Sequence, residues 1–369
     1  MQIFVNQLVY FGFFQSLFLL IICLCSPKIR KSINGYIAFL IFLLAIGLSG
    51  RIINNSEIFG TDFRFIAFSE FATLFFGATI YLFSRSSLLG KKFEYKDLQH
   101  YIPGVVYIMA VLFVFILPSD QVIGERSQSG ELQRTITLFM GTALVFNITY
   151  WVMSLRLFYA FQKQLKDEFS YSIKSQFFLS FLVAIGLCLL TWVTVYFISI
   201  FGDQMAERTA RQFIWMGITF IILFIAYYSI REPQLFKLSA FIQPKKYAQS
   251  KLSLIDLDSL KIRLEELMEA KKPYLNGKLL KAELAEMLGV SNPEMARLLN
   301  EKVGMNFFEY VNYYRIKEFV SLAKTDKAKH LTFFALAQGA GFNSKTTFNK
   351  SFKNLMGSSP KEYLSKEIG

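Results

Sequence analysis

The 369-residue chain has few charged residues, few cysteines and very few histidines. Charged residues make up 18% of the chain, against about 25% in soluble domains, and hydrophobic residues reach 53%. This composition excludes a disordered chain. The three cysteines, Cys23, Cys25 and Cys188, lie in apolar stretches, so we expect no disulfide framework. Only two histidines, His100 and His330, are present, which excludes an H-E-x-x-H zinc site. We therefore expect no metal, no cofactor and no enzymatic activity.

Long apolar runs fill the first 231 residues. A membrane-spanning helix needs about 20 mostly apolar residues, because the hydrocarbon core is roughly 30 Å thick and each residue adds ~1.5 Å. Seven runs reach or approach this length, which predicts a seven-helix transmembrane domain over residues 1–231. Buried core helices are the alternative, but too little polar sequence remains to cover them. The runs are residues 4–25, 35–53, 63–83, 101–117, 136–158, 177–201 and 213–230.

Basic residues are distributed unevenly among the loops between these runs, and cytoplasmic loops are the ones that collect Lys and Arg. The loops after odd-numbered spans hold more of them, which predicts an outside N-terminus and a cytoplasmic C-terminal half. The first run has its positive residues behind it, so we do not expect a cleaved signal peptide. The expected location is a bacterial inner membrane. The odd loops carry Lys28, Arg30, Lys31, Arg85, Lys91, Lys92, Lys96, Arg156, Lys163, Lys166 and Lys174; the even loops carry Arg51, Arg64, Arg126, Arg134, Arg208 and Arg211.

Two polar residues inside the apolar runs are candidates for sensing. Ionisable groups within a bilayer are costly and indicate function by default, and Glu70 is the clearest of them; Asn147 is a weaker polar candidate. Both predict a pocket for a small-molecule or membrane-borne signal. The alternative is a structural pair of Glu70 with Arg51 or Arg64, or a position at the membrane interface. A membrane carrier is the alternative function for this half, although ion-coupled pumps need relays of intramembrane charge.

After Pro233 the sequence becomes charged and helix-periodic. Residues 232–256 are predicted to be a basic cytoplasmic linker whose lysines lie on anionic lipid. Residues 257–369 are predicted to be a soluble domain. Residues 237–369 contain 22 Lys and Arg against 14 Asp and Glu, so an anionic partner is expected: nucleic acid or a lipid surface.

Two pairs of short helices, each with a glycine-containing turn, are predicted in this domain. In the first pair, residues 279–288 lead to the turn Gly289-Val290-Ser291, and Ser291 caps a helix over residues 292–302. In the second, Thr332 caps residues 333–340, the turn is Gly341-Phe342-Asn343-Ser344, and residues 345–356 follow. A long helix over residues 307–323 joins them. Two short helices joined by such a turn form a helix-turn-helix, and its repetition makes the prediction specific.

These residues resemble the AraC-type DNA-binding domain. Ala285, Leu288-Gly289-Val290-Ser291, Arg297-Leu298-Leu299 and Gly304 resemble its first half. Ala337, Gly341-Phe342-Asn343-Ser344, Phe348, Phe352-Lys353, Gly357-Ser358-Ser359-Pro360 and Tyr363 resemble its second half. The membrane half resembles the multi-spanning N-terminal regions of some bacterial members of the family. The chain departs from the family pattern at Lys281 (often apolar), Gly339 (often acidic), Leu299 (often Phe), and Glu294 and Ala296 (often other polar residues).

The second helix of each unit is expected to enter the major groove, and the joining helix sets the separation, so that one chain addresses two groove segments roughly 34 Å apart. In the first unit we expect Arg297 to pair with guanine and Ala296 to contact a thymine methyl group. In the second we expect base contacts from Lys345, Thr346, Asn349 and Lys350. Ser291, Ser344 and Lys353 are expected to hold phosphates. The Phe and Leu positions of these helices are expected to be core.

The sequence thus predicts an all-α protein in which a seven-helix transmembrane bundle precedes an AraC-like domain with two helix-turn-helix units. Its function would be that of a membrane-bound, sequence-specific transcription regulator. The expected partners are a double-stranded DNA operator, the lipid bilayer and an unidentified signal, with a second copy of the chain as a further candidate. Two alternatives remain: a carrier whose helical tail is a regulatory or dimerisation module, and a tail released by proteolysis within the linker.

Overall fold

A computed structural model describes residues 2–25, 35–56, 67–173, 175–202, 204–231, 254–326 and 330–367. The described residues are predominantly helical, which confirms the all-α prediction. The chain divides into two compact units: Met1–Tyr159 with Ser175–Gln243, and Ala160–Lys174 with Pro244–Gly369. The predicted linker, residues 232–256, lies outside the described residues except for its last three positions.

The first unit is built from apolar helices that follow the predicted runs. Among the described residues, six stretches are long and apolar enough to cross a membrane, and the apolar part of the second helix, Gly35–Gly50, is shorter. Each of the seven predicted runs therefore contains helix. The helices are α1 (Gln2–Cys25), α2 (Gly35–Ser56), α3 (Phe75–Leu89), α4 (Ile102–Val111), α5 (Asp120–Gln128), α6 (Glu131–Glu168), α7 (Gln176–Phe201) and α8 (Gln204–Arg231).

Two of these spans contain irregular helical turns. A 3₁₀-helix, Phe68–Ala72, precedes α3, and α3 continues past the predicted end at residue 83 to Leu89, where Gly90 takes a left-handed conformation. A 3₁₀-helix, Tyr95–Tyr101, leads into α4, and a π-helical turn, Leu112–Ile116, follows it. Such turns inside a helix often mark functional positions.

The outward faces of the first unit carry large apolar side chains. A protein surrounded by water buries such residues or scatters them singly, whereas here they cover whole helix faces. Lipid-facing helices show this distribution. The exposed residues include Phe4, Phe14 and Phe18 of α1, Val105, Val106 and Met109 of α4, and Leu187, Leu190 and Phe197 of α7.

The second unit contains the two predicted helix pairs, preceded by one amphipathic helix. Leu257, Leu260, Leu264 and Met268 of that first helix are buried, so its apolar stripe packs into the unit's own core. The elements are α9 (Leu254–Lys271), a 3₁₀ turn (Pro273–Leu275), α10 (Lys281–Leu288), α11 (Asn292–Leu298), a π-helical turn (Leu299–Val303), α12 (Phe307–Ala323), α13 (Phe333–Gly339), α14 (Lys345–Met356) and α15 (Pro360–Glu367).

Each helix pair has its own core, and α12 contributes to both. Leu298, Leu299 and the first half of α12 pack with α9 and α10. Phe319 near the end of α12 packs on Phe348 and Phe352 of α14, and Tyr363 closes that cluster with its ring centroid 5.6 Å from that of Phe352. The predicted core positions Leu298, Leu299, Phe348 and Phe352 and the packing of Tyr363 are confirmed. The prediction is wrong for Leu355, which is exposed near the end of α14. The shared helix fixes the two pairs to each other.

The second unit also contains residues 160–174, hereafter the 160–174 segment, which the sequence analysis assigned to the membrane domain. Its first part is the end of α6, which continues well past the predicted end at residue 158. Phe169, directly after α6, forms an antiparallel bridge with Leu280, just before α10. Phe161, Leu165, Phe169 and Ser170 are buried.

Candidate functional site

The turn of the first helix pair is fixed by local hydrogen bonds. Gly289 ends α10 at φ +78°, which a side chain would strain. Ser291 Oγ accepts from the Glu294 backbone N–H, and the Glu294 carboxylate accepts from the Ser291 N–H at 2.8 Å, which makes a capping box. The carboxylate of Glu294, one of the departures from the family pattern, is thus engaged at the start of α11. Ser291 is the N-cap that the sequence predicted.

Arg297 lies on the surface of α11, half-buried, with its guanidinium against the next turn. Its Nε donates to both carboxylate oxygens of Glu301 at 3.1 Å. A partly exposed pair of this kind contributes about 0.2–1 kcal/mol, so it holds Arg297 weakly. Ala296, beside it, is half-buried. The base contacts expected of Arg297 and Ala296 remain predictions.

The second helix pair presents a polar stripe along α14. Ser344 caps this helix by accepting from the Thr347 N–H, as predicted. Phe348 and Phe352 point into the core, and the helix period therefore turns the opposite side outward. The five α14 side chains that the sequence predicted to contact DNA are all exposed and therefore accessible to it: Lys345, Thr346, Asn349, Lys350 and Lys353.

The residue after Thr346 was not selected, and it is in contact with the 160–174 segment. Thr347 is buried, and its hydroxyl is hydrogen-bonded to that of Ser172. Two residues of the first helix pair contact the same segment: Lys281 Nζ lies 2.7 Å from Glu168 Oε1, and Asn292 Nδ2 donates to Glu168 Oε2 at 3.2 Å. The sequence signal for this contact was Lys281 itself, which stands where the family often has an apolar residue. A lysine buried at such a position needs an anionic partner.

Arg315 of α12 links these elements through a fully used guanidinium. Its five N–H groups donate to the carbonyl oxygens of Tyr274, Asn276 and Ser170, to Asn312 Oδ1 and to Ser170 Oγ, at 2.6–3.2 Å. Burial lowers the pKa of Arg315 to about 10, so the group keeps its charge at pH 7. Ser170 Oγ in turn donates to the Leu279 carbonyl at 2.7 Å. Sequence analysis did not select Arg315, because nothing local to it indicates these partners.

A cavity of about 380 Å³ lies within the first unit. Its walls come from α2, α3, α4, α6, α7 and α8, and they are mainly apolar. The irregular turns before α3 and after α4 contribute Glu70 and Phe115. This volume falls in the range of small-molecule sites, roughly 300–1,000 Å³. Polar and aromatic lining residues are Ser69, Glu70, Thr73, Tyr107, Asn147, Arg211, Trp192, Trp215, Phe76, Phe115 and Phe139.

The two predicted sensing residues differ in their surroundings. Glu70 is exposed at the cavity, and two hydroxyls reach its Oε2 among the described residues, Thr73 at 3.0 Å and Tyr107 at 3.4 Å. The side chains of Arg51 and Arg64, the expected ion-pair alternatives, lie outside the described residues. Asn147 is buried.

Within the described part of the chain, the hydrogen bonds of Asn147 run to backbone. Its Oδ1 accepts from the Gly77 N–H at 2.8 Å, and its Nδ2 donates to the carbonyls of Thr73 and Ala143. Gly77 is in the first turn of α3, where helix N–H groups have no partner within the helix. Asn147 therefore caps α3 from α6.

Residues 284–366 match a family model described as a helix-turn-helix domain. The match starts in α10, ends in α15 and includes both helix pairs, so the second unit contains a DNA-binding domain of the helix-turn-helix class. This domain is of the AraC type, as its residues indicated. Neither a curated protein nor a solved structure matches the chain.

Proposed function

We propose that the chain is a membrane-bound, sequence-specific transcription regulator that responds to a signal bound in its membrane unit. The observation that carries the proposal is the pair of helix-turn-helix units on one shared helix, α12, within an AraC-type domain. Their outward helices, α11 and α14, carry the side chains that DNA recognition needs: cationic groups for phosphates and guanine, and an amide for adenine.

The free energies involved allow Arg297 to change partners. Its pair with Glu301 is worth about 0.2–1 kcal/mol, and a bidentate contact with guanine gives about 1–3 kcal/mol of discrimination. DNA would therefore draw Arg297 away from Glu301. Lys345, Thr346, Asn349 and Lys350 are exposed and need no such exchange in order to face a groove. We propose that Lys353, Ser291 and Ser344 hold phosphates.

The test of DNA binding uses the full chain in detergent micelles. Genomic fragments that it retains are sequenced, and a retained fragment is then titrated beside random DNA at fixed salt. We expect Arg297→Ala to weaken the specific fragment by about 1–3 kcal/mol and random DNA little. Equal losses on both DNAs would assign Arg297 to a phosphate, and absence of sequence preference in the parent chain would contradict the proposed function.

Membrane placement is supported by six stretches of the described residues that are long and apolar enough to cross a membrane, by the shorter apolar helix Gly35–Gly50, and by the outward apolar faces. The proposal places the N-terminus outside and the second unit in the cytoplasm of a bacterium, since seven crossings leave the two ends on opposite sides. Reporters fused after Gly369 test this orientation. A reporter active only in the periplasm would exclude gene regulation by this chain.

The cavity in the first unit supports a ligand of definite chemistry. Its walls are mainly apolar, and Glu70 offers one carboxylate beside the hydroxyls of Thr73 and Tyr107. We infer that the signal is a small, largely apolar molecule with a hydrogen-bond donor or a positive charge that meets Glu70.

A reporter gene under a retained promoter fragment tests this role. Glu70→Gln should change the signal response while the amount of protein in the membrane stays constant. Glu125→Gln is the matched control, because it removes one carboxylate from α5, away from the cavity lining. An unchanged response in Glu70→Gln would exclude a sensing role for that residue.

A further inference from the structure

The 160–174 segment lies on the DNA-binding unit at the starts of both outward helices. Glu168 contacts Asn292, the first residue of α11, and Ser172 contacts Thr347 in the first turn of α14. In helix-turn-helix proteins the N-terminal residues of the recognition helix contact the base edges. The segment thus covers positions next to those that the proposed function assigns to DNA.

The chemistry of the covered surface is that of a phosphate site. Lys281 Nζ, the Asn292 amide, the Arg315 guanidinium and the Thr347 hydroxyl are the groups that meet the segment. Lys, Arg, Asn and Thr side chains are the ones that hold DNA phosphates. On the segment, they meet one carboxylate, one carbonyl oxygen and two hydroxyls, from Glu168, Ser170 and Ser172.

Arg315 is hydrogen-bonded both to the 160–174 segment and to residues that would stay in place if the segment left. Two of its five donors, one on Nη1 and one on Nη2, are used by Ser170. The other three are held by Tyr274 and Asn276, in the turn between α9 and α10, and by Asn312 of α12. Without the segment, the guanidinium would stay fixed and present two free donors. Asn312 Nδ2, buried beside it, has no acceptor among the described residues.

We propose that the 160–174 segment is an autoinhibitory element that occupies this surface in place of DNA, with the Glu168 carboxylate and the Ser170 carbonyl standing where backbone phosphates bind. The inference rests on the proposed DNA-binding function. The segment joins α6 to α7, so a rearrangement of these helices around a bound signal reaches it directly through the backbone. Signal binding would withdraw the segment and leave Lys281, Arg315 and Thr347 to DNA.

The first test compares DNA affinities of the full chain in lipid nanodiscs, with a fragment that it selects from genomic DNA. Glu168→Gln removes the charge that holds Lys281, and we expect about tenfold tighter binding. Glu266→Gln, an exposed position on α9, makes the same change in net charge within the same unit. We expect less than about twofold from this control, since a remote surface charge is screened. Equal effects of the two variants, or weaker binding by Glu168→Gln, would contradict the proposal that the segment and DNA compete for this surface.

The second test locks the segment in place. Ser172→Cys and Thr347→Cys are combined in a chain whose three native cysteines are replaced by serine, because the two hydroxyls are in direct contact. Oxidation should cross-link the pair and weaken DNA binding at least tenfold, and a reductant should restore it. The single Thr347→Cys variant controls for oxidation itself and should respond to neither treatment.

The outcomes distinguish a failure of the proposed autoinhibition from a failure of the proposed DNA-binding function. A failure to cross-link overturns the docking, and a cross-linked chain that binds DNA as tightly as the reduced one overturns the competition. Absence of sequence-selective binding in every form, reduced variants included, overturns the proposed DNA-binding function. The yield of cross-link reports docking independently of DNA.

Discussion

Replacement of Gly341 by alanine should destabilise the second unit far more than replacement of Gly357, although both glycines follow a helix of the same helix pair. Both have positive φ, +94° at Gly341 and +74° at Gly357. They differ in what a Cβ would meet. At Gly357 a Cβ would meet no described atom within 4 Å beyond its chain neighbours, whereas at Gly341 the Cβ would lie 2.3 Å from the Tyr274 carbonyl oxygen and 3.0 Å from Leu275 Cα.

The magnitudes follow from these contacts. A left-handed residue with a Cβ costs about 1–2 kcal/mol, and this cost applies at both positions. The overlap at Gly341 is with backbone, which cannot rotate away, so it adds about 1–3 kcal/mol. Displacing the Tyr274 carbonyl also weakens its 2.8 Å bond from Arg315 Nε, a bond to a charged group worth about 1.5–3 kcal/mol. We expect roughly 4 kcal/mol or more at Gly341 and about 1–2 kcal/mol at Gly357.

Hydrogen exchange of the α12 amides in the full chain, followed across a urea titration, measures the stability of this unit. The loss of protection should move to a distinctly lower urea concentration in Gly341→Ala than in Gly357→Ala. If both variants shift by the same amount, the close approach of Gly341 to Tyr274 does not exist, and the hydrogen-bond set around Arg315 is wrong with it.

Three further outcomes are expected. Asn147→Leu should lower the stability of the membrane unit by about 1–3 kcal/mol in thermal unfolding, because the Gly77 N–H loses its acceptor; an unchanged unfolding temperature would contradict the cap. Glu301→Gln should strengthen binding to the specific fragment about two- to threefold by releasing Arg297, and no change would show that their pair contributes nothing. Lys353→Ala should weaken binding to all DNA sequences alike and reduce the salt slope by about 1, as a titration at several salt concentrations would measure.

The helix pairs were predictable because their signals are local. Ser291, Thr332 and Ser344 each accept a backbone N–H three residues ahead, so the sequence alone locates the start of each helix. Phe348 and Phe352, one helical turn apart, then identify the buried side of α14, and its exposed stripe follows from the same period; Leu355, expected in the core, lies outside it. Local bonds of this kind need no knowledge of the rest of the fold.

The contacts of the 160–174 segment were not predictable in this way. Lys281 and Glu168 are 113 positions apart, and Ser172 and Thr347 are 175 apart. Hydropathy also placed the end of α6 at residue 158, because it responds to the apolar length of a run and not to a helix that continues into polar sequence. In the sequence, Lys281 stood out only because the family often has an apolar residue there, and its partner Glu168 could be identified only from the fold.

The same reasoning separates Glu70 from Asn147, which the sequence proposed together. An Asn side chain can make four hydrogen bonds at most. Asn147 makes three, to backbone groups of Ala143 in α6 and of Thr73 and Gly77 around the start of α3. A ligand would have to break a helix cap to use it. The Glu70 carboxylate is exposed at the cavity and has acceptor capacity beyond two hydroxyls, so a ligand can be added without that loss.

On the proposed mechanism, the buried guanidinium of Arg315 is a site for which the 160–174 segment and DNA compete. The guanidinium is satisfied by neutral oxygens, since all five of its hydrogen bonds go to carbonyl, amide or hydroxyl groups. A buried donor left unpaired costs about 1–3 kcal/mol, so the two donors held by Ser170 must find another acceptor once the segment leaves. A phosphate oxygen supplies that acceptor together with the missing negative charge. On the proposed mechanism, the docked segment and bound DNA satisfy the same donors, so a signal that binds the two states with different affinities shifts the balance between them.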